Sequence, residues 1–171
     1  MDFKINLKTH IMCFFLSSIF ALIFYNLIVD SFEGLLKESS LDPFLNIMYF
    51  YVGIIILLIP VTIIHELIHG LFHKLFKGKV KFGFKFIYAY TIEVTARPLS
   101  IRKFQIVLLA PLVIISILSY VMQSYLGGIV FILNLLGSSG DVYMALVLVK
   151  YNNSYSIVDK SYGFSIINGE Q

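Results

Sequence analysis

Long apolar runs dominate the chain and divide it into four stretches. The first covers residues 11–29 without a charged side chain, and the second begins at residue 44 and continues to about residue 76. The third covers residues 104–126 and the fourth residues 129–149. A helix of about 20 apolar residues crosses the hydrocarbon core of a bilayer. The pattern therefore predicts four transmembrane helices, with residues 44–72 as the second span, and a mainly α fold.

The first and fourth stretches each have a feature that bears on this prediction. The first is longer than the apolar core of a secretory signal peptide, about 7–15 residues, and no small-residue cleavage site follows it at residues 26–30. We therefore expect a retained helix. The fourth is interrupted by Gly-Ser-Ser-Gly at residues 137–140, followed by Asp141, which predicts a broken helix.

Between the second and third stretches the periodicity changes. Tyr88, Tyr90, Ile92 and Val94 alternate with Ala, Thr and Glu, and a period of two is typical of a half-buried strand. Residues 78–98 are therefore predicted to form a small β-hairpin or sheet packed on the helices. The alternative is an amphipathic loop whose aromatic rings lie at the level of the lipid headgroups. Residues 151–171 are polar, and this tail is predicted to fray.

Composition agrees with a membrane protein. The chain is 58% hydrophobic and 13% charged, whereas soluble domains carry about 25% charged residues. At 171 residues we expect one integral membrane domain, residues 1–171, with too little chain outside the apolar stretches for a second core. Cys13 is the only cysteine, which excludes an intramolecular disulfide and a thiolate-rich metal site.

The charges predict an orientation in the membrane. Eight of the thirteen lysines and arginines lie between residues 74 and 103, and the positive-inside rule places that loop in the cytoplasm. The loop after the first stretch is acidic, as expected for the outer side. The sequence therefore predicts a multi-pass protein of the cell membrane with both termini cytoplasmic. The lipid bilayer is its expected partner, and the basic excess needs no nucleic acid to explain it.

The second stretch ends in an HExxH motif, formed by His65, Glu66 and His69. Residues four apart on a helix are separated by about 6 Å along the axis and about 40° around it, so the two imidazoles can bind one ion. Zinc held by two histidines and one further ligand keeps an open position for a water molecule, with Glu66 as the general base. The alternative is that these are polar residues at a membrane interface.

Three residues are candidates for the third metal ligand. His73 lies about 12 Å along the axis from His65, which is too far for both to bind one ion from a straight helix. Glu93 falls on the polar face of the predicted strand, where a solvated carboxylate is ordinary. Asp141 is the acid inside the broken fourth stretch, and an ionisable residue there requires a partner. The sequence favours Asp141 as the third ligand, and Glu93 stays open as the alternative.

These motifs carry a resemblance to known families. The HELIHGL run from His65, the Lys-Gly-Lys step at residues 77–79, Leu-Ala-Pro at residues 109–111 and the segment from Asn134 to Asp141 resemble a family of small membrane zincin peptidases of HELIH type. An HExxH followed by an aspartate in a later helix also resembles the site-2 protease class of intramembrane metalloproteases. The site-2 pattern usually has a proline and a glycine near its aspartate, whereas here Val142 follows Asp141.

The resemblance implies a zinc ion held by His65, His69 and Asp141, with Glu66 catalytic. It also implies a substrate that binds as an added strand, and it suggests Asn134 for oxyanion stabilisation. The function expected from the whole sequence is a zinc-dependent metallopeptidase that cleaves a membrane or membrane-proximal protein near the cytoplasmic face. Two alternatives are a zinc-binding membrane protein without hydrolytic activity, such as a chaperone-like or immunity factor, and a small transporter or channel subunit.

Overall fold

The structure is a computed structural model that describes residues 1–37, 42–85, 88–152, 154–160 and 162–168. Within these ranges the chain forms six helices: α1 (Leu7–Ile23), α2 (Tyr25–Lys37), α3 (Pro43–Leu75), α4 (Ile101–Val121), α5 (Tyr125–Gly137) and α6 (Ser139–Leu148). Six strands accompany them: β1 (Asp2–Lys4), β2 (Val80–Lys85), β3 (Tyr88–Glu93), β4 (Leu99–Ser100), β5 (Tyr155–Lys160) and β6 (Gly163–Asn168). The mainly α prediction is confirmed, with two small antiparallel sheets beside the helices.

Two helices, α3 and α4, are long and apolar enough to cross a membrane. The pairs α1–α2 and α5–α6 are bent by 71° and 47°, so the described residues contain two to four candidate spans. The helices are thus consistent with a membrane protein. The prediction of one continuous helix over residues 11–29 is wrong, because the chain bends at Phe24.

Packing accounts for the bend between α1 and α2. After the bend, α2 lies against α5, where Ser31 contacts the backbone at Gly128 and Gly34 lies under the ring of Tyr125. Small residues at such positions let two helices approach closely. Residues 11–29 are apolar on both sides of the bend, so hydropathy cannot locate it.

The predicted boundary between the third and fourth stretches is also displaced. Helix α4 ends at Val121, and Gln123 adopts a left-handed backbone conformation with φ of 45°. The Ser124 hydroxyl then accepts a hydrogen bond from the Gly127 amide at 3.1 Å and caps the start of α5. Residues 125 and 126, predicted to end the third span, therefore begin α5. The predicted break in the fourth stretch is confirmed at Ser138.

Helix α3 changes character along its length. Most of its large apolar side chains between residues 44 and 59 are exposed, as suits a surface that faces lipid. From His65 onward histidine and charged side chains appear, and His69 and His73 are buried. The helix has 33 residues and is about 50 Å long, against about 30 Å of hydrocarbon. The HExxH motif therefore lies near one end of a helix that exceeds the thickness of the hydrocarbon core.

The hairpin predicted for residues 78–98 is present. Strands β2 and β3 pair antiparallel from Val80 opposite Glu93 to Lys85 opposite Tyr88, and residues 86 and 87 lie outside the described ranges. The hairpin packs on α3 in two places. Gly70 lies so close to the ring of Phe82 that a Cβ atom would collide with it, and the Thr91 hydroxyl donates to the Glu66 carbonyl at 2.8 Å.

A second sheet, in the order β1-β6-β5-β4, contradicts the predicted fraying of residues 151–171. Ile157 of β5 and Phe164 of β6 are completely buried with Phe104 of α4 and Leu148 of α6. Residues 153, 161 and 169–171 of this segment lie outside the described ranges. Because β1 pairs with β6 and β4 pairs with β5, the first and last described strands lie on the same side of the helices as the α3–α4 connection.

Candidate metal centre

Helices α3 and α6 bring the predicted ligands together. His65 Nε2 lies 3.1 Å from Asp141 Oδ2, and His69 Nε2 lies 3.6 Å from the same oxygen. The two imidazole Nε2 atoms are 3.0 Å apart. Within the described part of the chain, His65, His69 and Asp141 form a group that could hold a metal ion, with one ligand atom of each within 4.8 Å of the others. His73 and Glu93 are not part of this group.

Hydrogen bonds on the far side of each ring orient the two imidazoles. His65 Nδ1 donates to Asn134 Oδ1 at 3.0 Å, and His69 Nδ1 donates to the Val107 carbonyl oxygen at 2.8 Å. With the protons on Nδ1, both Nε2 lone pairs point toward each other and toward the Asp141 carboxylate. Three electron-rich atoms at this separation repel one another unless a cation lies among them. The donor set therefore fits a divalent metal with nitrogen and oxygen ligands, such as zinc.

Pro111 explains why the Val107 carbonyl is available to His69. In a regular helix that carbonyl accepts the amide of the residue four positions later, but proline has no N–H. The carbonyl of Val107 in α4 thus lacks its usual donor, and His69 supplies one from α3. The sequence gives no sign that Val107 takes part in the site, because only its backbone carbonyl contacts His69. The one available signal is the proline four residues downstream.

Replacing Pro111 with alanine is expected to weaken zinc binding about 10- to 100-fold, the usual cost of losing an outer-shell partner of a metal ligand. The alanine amide would compete with His69 for the Val107 carbonyl. Affinity can be measured by competition with a chromogenic chelator. Pro60→Ala is the matched control, because it also restores an amide inside a long apolar helix but lies on an exposed position of α3. Equal zinc affinity of Pro111→Ala and the wild type would contradict this role for Pro111.

Asn134, which was suggested for oxyanion stabilisation, contacts His65 and the backbone of α4. Its side chain is buried, with 1% exposed, and its Oδ1 accepts from His65 while its Nδ2 donates to the Pro111 carbonyl at 3.4 Å. Both ends of the amide are engaged in holding His65 against α4. Asn134 is thus placed to orient a ligand, and these contacts give no support to the suggested oxyanion role.

Asp141 occupies the first turn of α6, just after the bend at Ser138. The bend keeps its backbone groups paired, since the Ser138 amide donates to the Asn134 carbonyl at 2.8 Å and the Val142 amide donates to the Ser138 carbonyl at 2.9 Å. A carboxylate in the first turn of a helix is also stabilised by the helix dipole. The break in the fourth stretch therefore places the acid at the end of a helix that favours its negative charge.

Glu66 shares a cavity with the metal-ligand group. A cavity of about 700 Å³ is lined by Glu66, His69 and Asp141 and, farther out, by residues of β3 and of the β5–β6 hairpin. The Glu66 side chain is partly buried. Glu66, a potential base, therefore lines the same cavity as two of the three candidate ligands, and the cavity offers space for a substrate.

Glu93, the alternative third ligand, has a structural role in a loop. Its carboxylate accepts hydrogen bonds from the amides of Lys79, Thr95 and Arg97 and from the Thr95 hydroxyl. Burial acts to raise the pKa of Glu93, but these hydrogen bonds outweigh it and hold the pKa below its ordinary value. The side chain is 5% exposed. Glu93 thus links the end of β3 to the start of β2 by hydrogen bonds, and it does not belong to the metal-ligand group.

Replacing Glu93 with glutamine is expected to destabilise the fold by about 1–3 kcal/mol at neutral pH, because an amide cannot accept all of these hydrogen bonds. The lowered pKa means that the stabilisation is complete above the unfolded value, about 4.3, and is lost as the pH falls through the folded value. The difference in thermal midpoint between wild type and Glu93→Gln should therefore shrink on acidification below about pH 4.3. A difference that is constant with pH would contradict the ionised role of Glu93.

The apolar helices are consistent with a membrane protein, and two histidines and one carboxylate form a group that could hold a metal ion. A family model described as “Putative zincin peptidase” matches residues 58–155, which is more than half of the chain. The chain therefore belongs to this family, whose description implies a zinc metallopeptidase. No curated protein and no solved structure matched the chain.

Proposed function

We propose that this protein is a zinc-dependent membrane metallopeptidase that hydrolyses a peptide bond of a membrane or membrane-proximal protein. The observation that carries the proposal is the convergence of His65 Nε2, His69 Nε2 and Asp141 Oδ2, with both Nδ1 protons directed outward, beside the Glu66 carboxylate. Such a set suits a catalytic zinc site, in which three protein ligands leave one position open.

The residues of the chain have distinct roles in the proposed reaction. Zinc, when bound by the three ligands, supplies a Lewis acid that polarises a water molecule and the scissile carbonyl. Glu66 removes the proton from the attacking water and then donates it to the nitrogen of the breaking peptide bond, which leaves as an amine. Asn134 and the Val107 carbonyl keep His65 and His69 in the tautomer that directs Nε2 to the metal.

The edge of β3 offers a place for an extended substrate. In an antiparallel pair, alternate residues direct their backbone groups to the partner strand, and the Val94 amide donates to Lys79 next to β2. Thr91 lies three residues before Val94, so its backbone groups point away from β2. Thr91 also lines the cavity. A peptide adding along this edge would pass the Glu66 carboxylate. The basic residues between α3 and α4 support a cytoplasmic position for this edge.

The test uses the purified full chain in detergent or vesicles. We expect one zinc ion per chain by elemental analysis, and metal-dependent cleavage of a library of membrane proteins, abolished by a chelator and restored by zinc. Stoichiometric zinc without cleavage of any library member would contradict the proposal and favour the non-hydrolytic zinc-binding alternative. Cleavage that is unaffected by chelation would contradict the role of the metal.

A further inference from the structure

One helical turn beyond His69, a second polar pair lines the same cavity. His73 of α3 is 4% exposed, and its Nε2 lies 3.6 Å from Asp159 Oδ2 on β5. The other ring nitrogen, His73 Nδ1, is buried and has no hydrogen-bond partner among the described residues. A buried polar atom without a partner is costly and uncommon in native proteins. Because that nitrogen is not exposed to the cavity, the group of the pair that a ligand can reach is the Asp159 carboxylate, which is 18% exposed and also lines the cavity.

The chemistry of the pair indicates the kind of ligand. The ring nitrogen that faces a carboxylate carries the imidazole proton, so Nδ1 of a neutral His73 presents a lone pair. Asp159 accepts a hydrogen bond from the Glu93 amide at 3.4 Å, and burial raises the pKa of its carboxyl group to about 6. At neutral pH the carboxyl group is still mostly ionised. An ionised, mostly buried carboxylate that lines a cavity beside a neutral imidazole favours a hydrogen-bond donor with positive charge.

The other charged side chains near the cavity do not form an ion pair with Asp159 in the described part of the chain. The Glu93 carboxylate is fully used by its hydrogen bonds to the loop after β3. Lys160 and His10 also line the cavity, but in the described ranges neither forms an ion pair with Asp159 within 4 Å. The charge of Asp159 is thus met by the Glu93 amide and a neutral ring.

We propose that His73 and Asp159 form a subsite that binds a lysine or arginine side chain of the substrate. The inference rests on the proposed peptidase function. His73 lies about 6 Å along α3 from His69, and an extended peptide advances about 3.3 Å per residue. For a peptide that runs along α3, the bound basic residue therefore lies about two residues from the scissile bond. The peptidase selects peptides with a cation at that position, and His73 and Asp159 act as specificity residues outside the metal site.

The experiment measures peptide binding to the zinc-loaded Glu66→Gln protein, so that no turnover is needed. The probes are two fluorescein-labelled octapeptides of alanine, one with a central lysine and one with a central norleucine. Fluorescence anisotropy should show that the lysine peptide binds about tenfold tighter or more, as expected for a charge-assisted hydrogen bond. Adding Asp159→Asn should reduce this ratio to about one. Asp2→Asn, which removes one exposed charge from β1 of the same sheet, should keep it.

A second measurement separates the subsite from the peptidase activity. Cleavage of a peptide library by the wild-type protein should show lysine or arginine two residues from the cleaved bond. Equal binding of the two octapeptides to the Glu66→Gln protein would overturn the subsite even if the wild type cleaves the library. A preference for the lysine octapeptide that is unchanged by Asp159→Asn would also overturn the subsite. A lysine preference lost in Asp159→Asn, without cleavage by the wild type, supports the subsite and contradicts the proposed function.

Discussion

Glu66→Gln is expected to lower the rate of peptide cleavage by about 10² to 10⁴ while the protein keeps its zinc. Glutamine has almost the same size as glutamate but cannot take a proton from water at neutral pH. Because Glu66 is not one of the three converging ligands, the metal should stay bound at the wild-type stoichiometry. The measurement pairs elemental analysis with initial rates on a substrate identified in the library.

A matched control for this variant is Glu33→Gln. Glu33 is exposed on α2 and pairs with Lys37 at 2.7 Å, so the substitution removes the same charge far from the cavity. It should leave the cleavage rate unchanged. A cleavage rate in Glu66→Gln close to that of the wild type would contradict the role of Glu66 as general base. Loss of zinc together with activity would show instead that Glu66 supports the metal.

Asp141→Ala is expected to weaken zinc binding by more than about 100-fold, because loss of an outer-shell partner alone costs 10- to 100-fold and Asp141 would be a direct ligand. It would also remove the only negative charge among the three ligands. Affinity can be measured by chelator competition, with the helical content followed by circular dichroism. Asp141→Asn, of nearly the same volume, shows whether the charge or the shape of the side chain is required.

Asp30→Ala is the control for this substitution, since Asp30 is an exposed acid on α2 outside the metal-ligand group. It should bind zinc like the wild type. Wild-type zinc affinity in Asp141→Ala would eliminate Asp141 as the third ligand. Because Glu93 is held by the loop after β3, the third ligand would then have to come from outside the residues that converge in this structure.

The sequence predicted the parts of the site that depend on local patterns. Two histidines four residues apart on an apolar helix necessarily share one face, and the alternation in β3 is a local property of the strand. Asp141 stood out because an acid within an apolar stretch requires a partner. These signals need no knowledge of which helices pack together.

The remaining features depend on tertiary contacts that leave little trace in sequence. The bend at Phe24 follows from packing of α2 on α5 through Ser31 and Gly34. The sheet that includes β5 and β6 requires β1 and β4, which come from distant parts of the chain. Asn134 and Val107 act on the histidines through contacts between helices. Only the assembled bundle shows that the polar C-terminal segment has a buried face.

Pro111 links the order of assembly to the chemistry of the site. As a separate helix in lipid, α4 would carry an unsatisfied Val107 carbonyl, and such a group costs several kcal/mol in hydrocarbon. Docking of α3 removes that cost only when His69 carries its proton on Nδ1. The packing of α3 on α4 therefore favours the histidine tautomer that a zinc site requires. The helical hydrogen bond that Pro111 cannot make thus helps to orient His69 in the candidate metal centre.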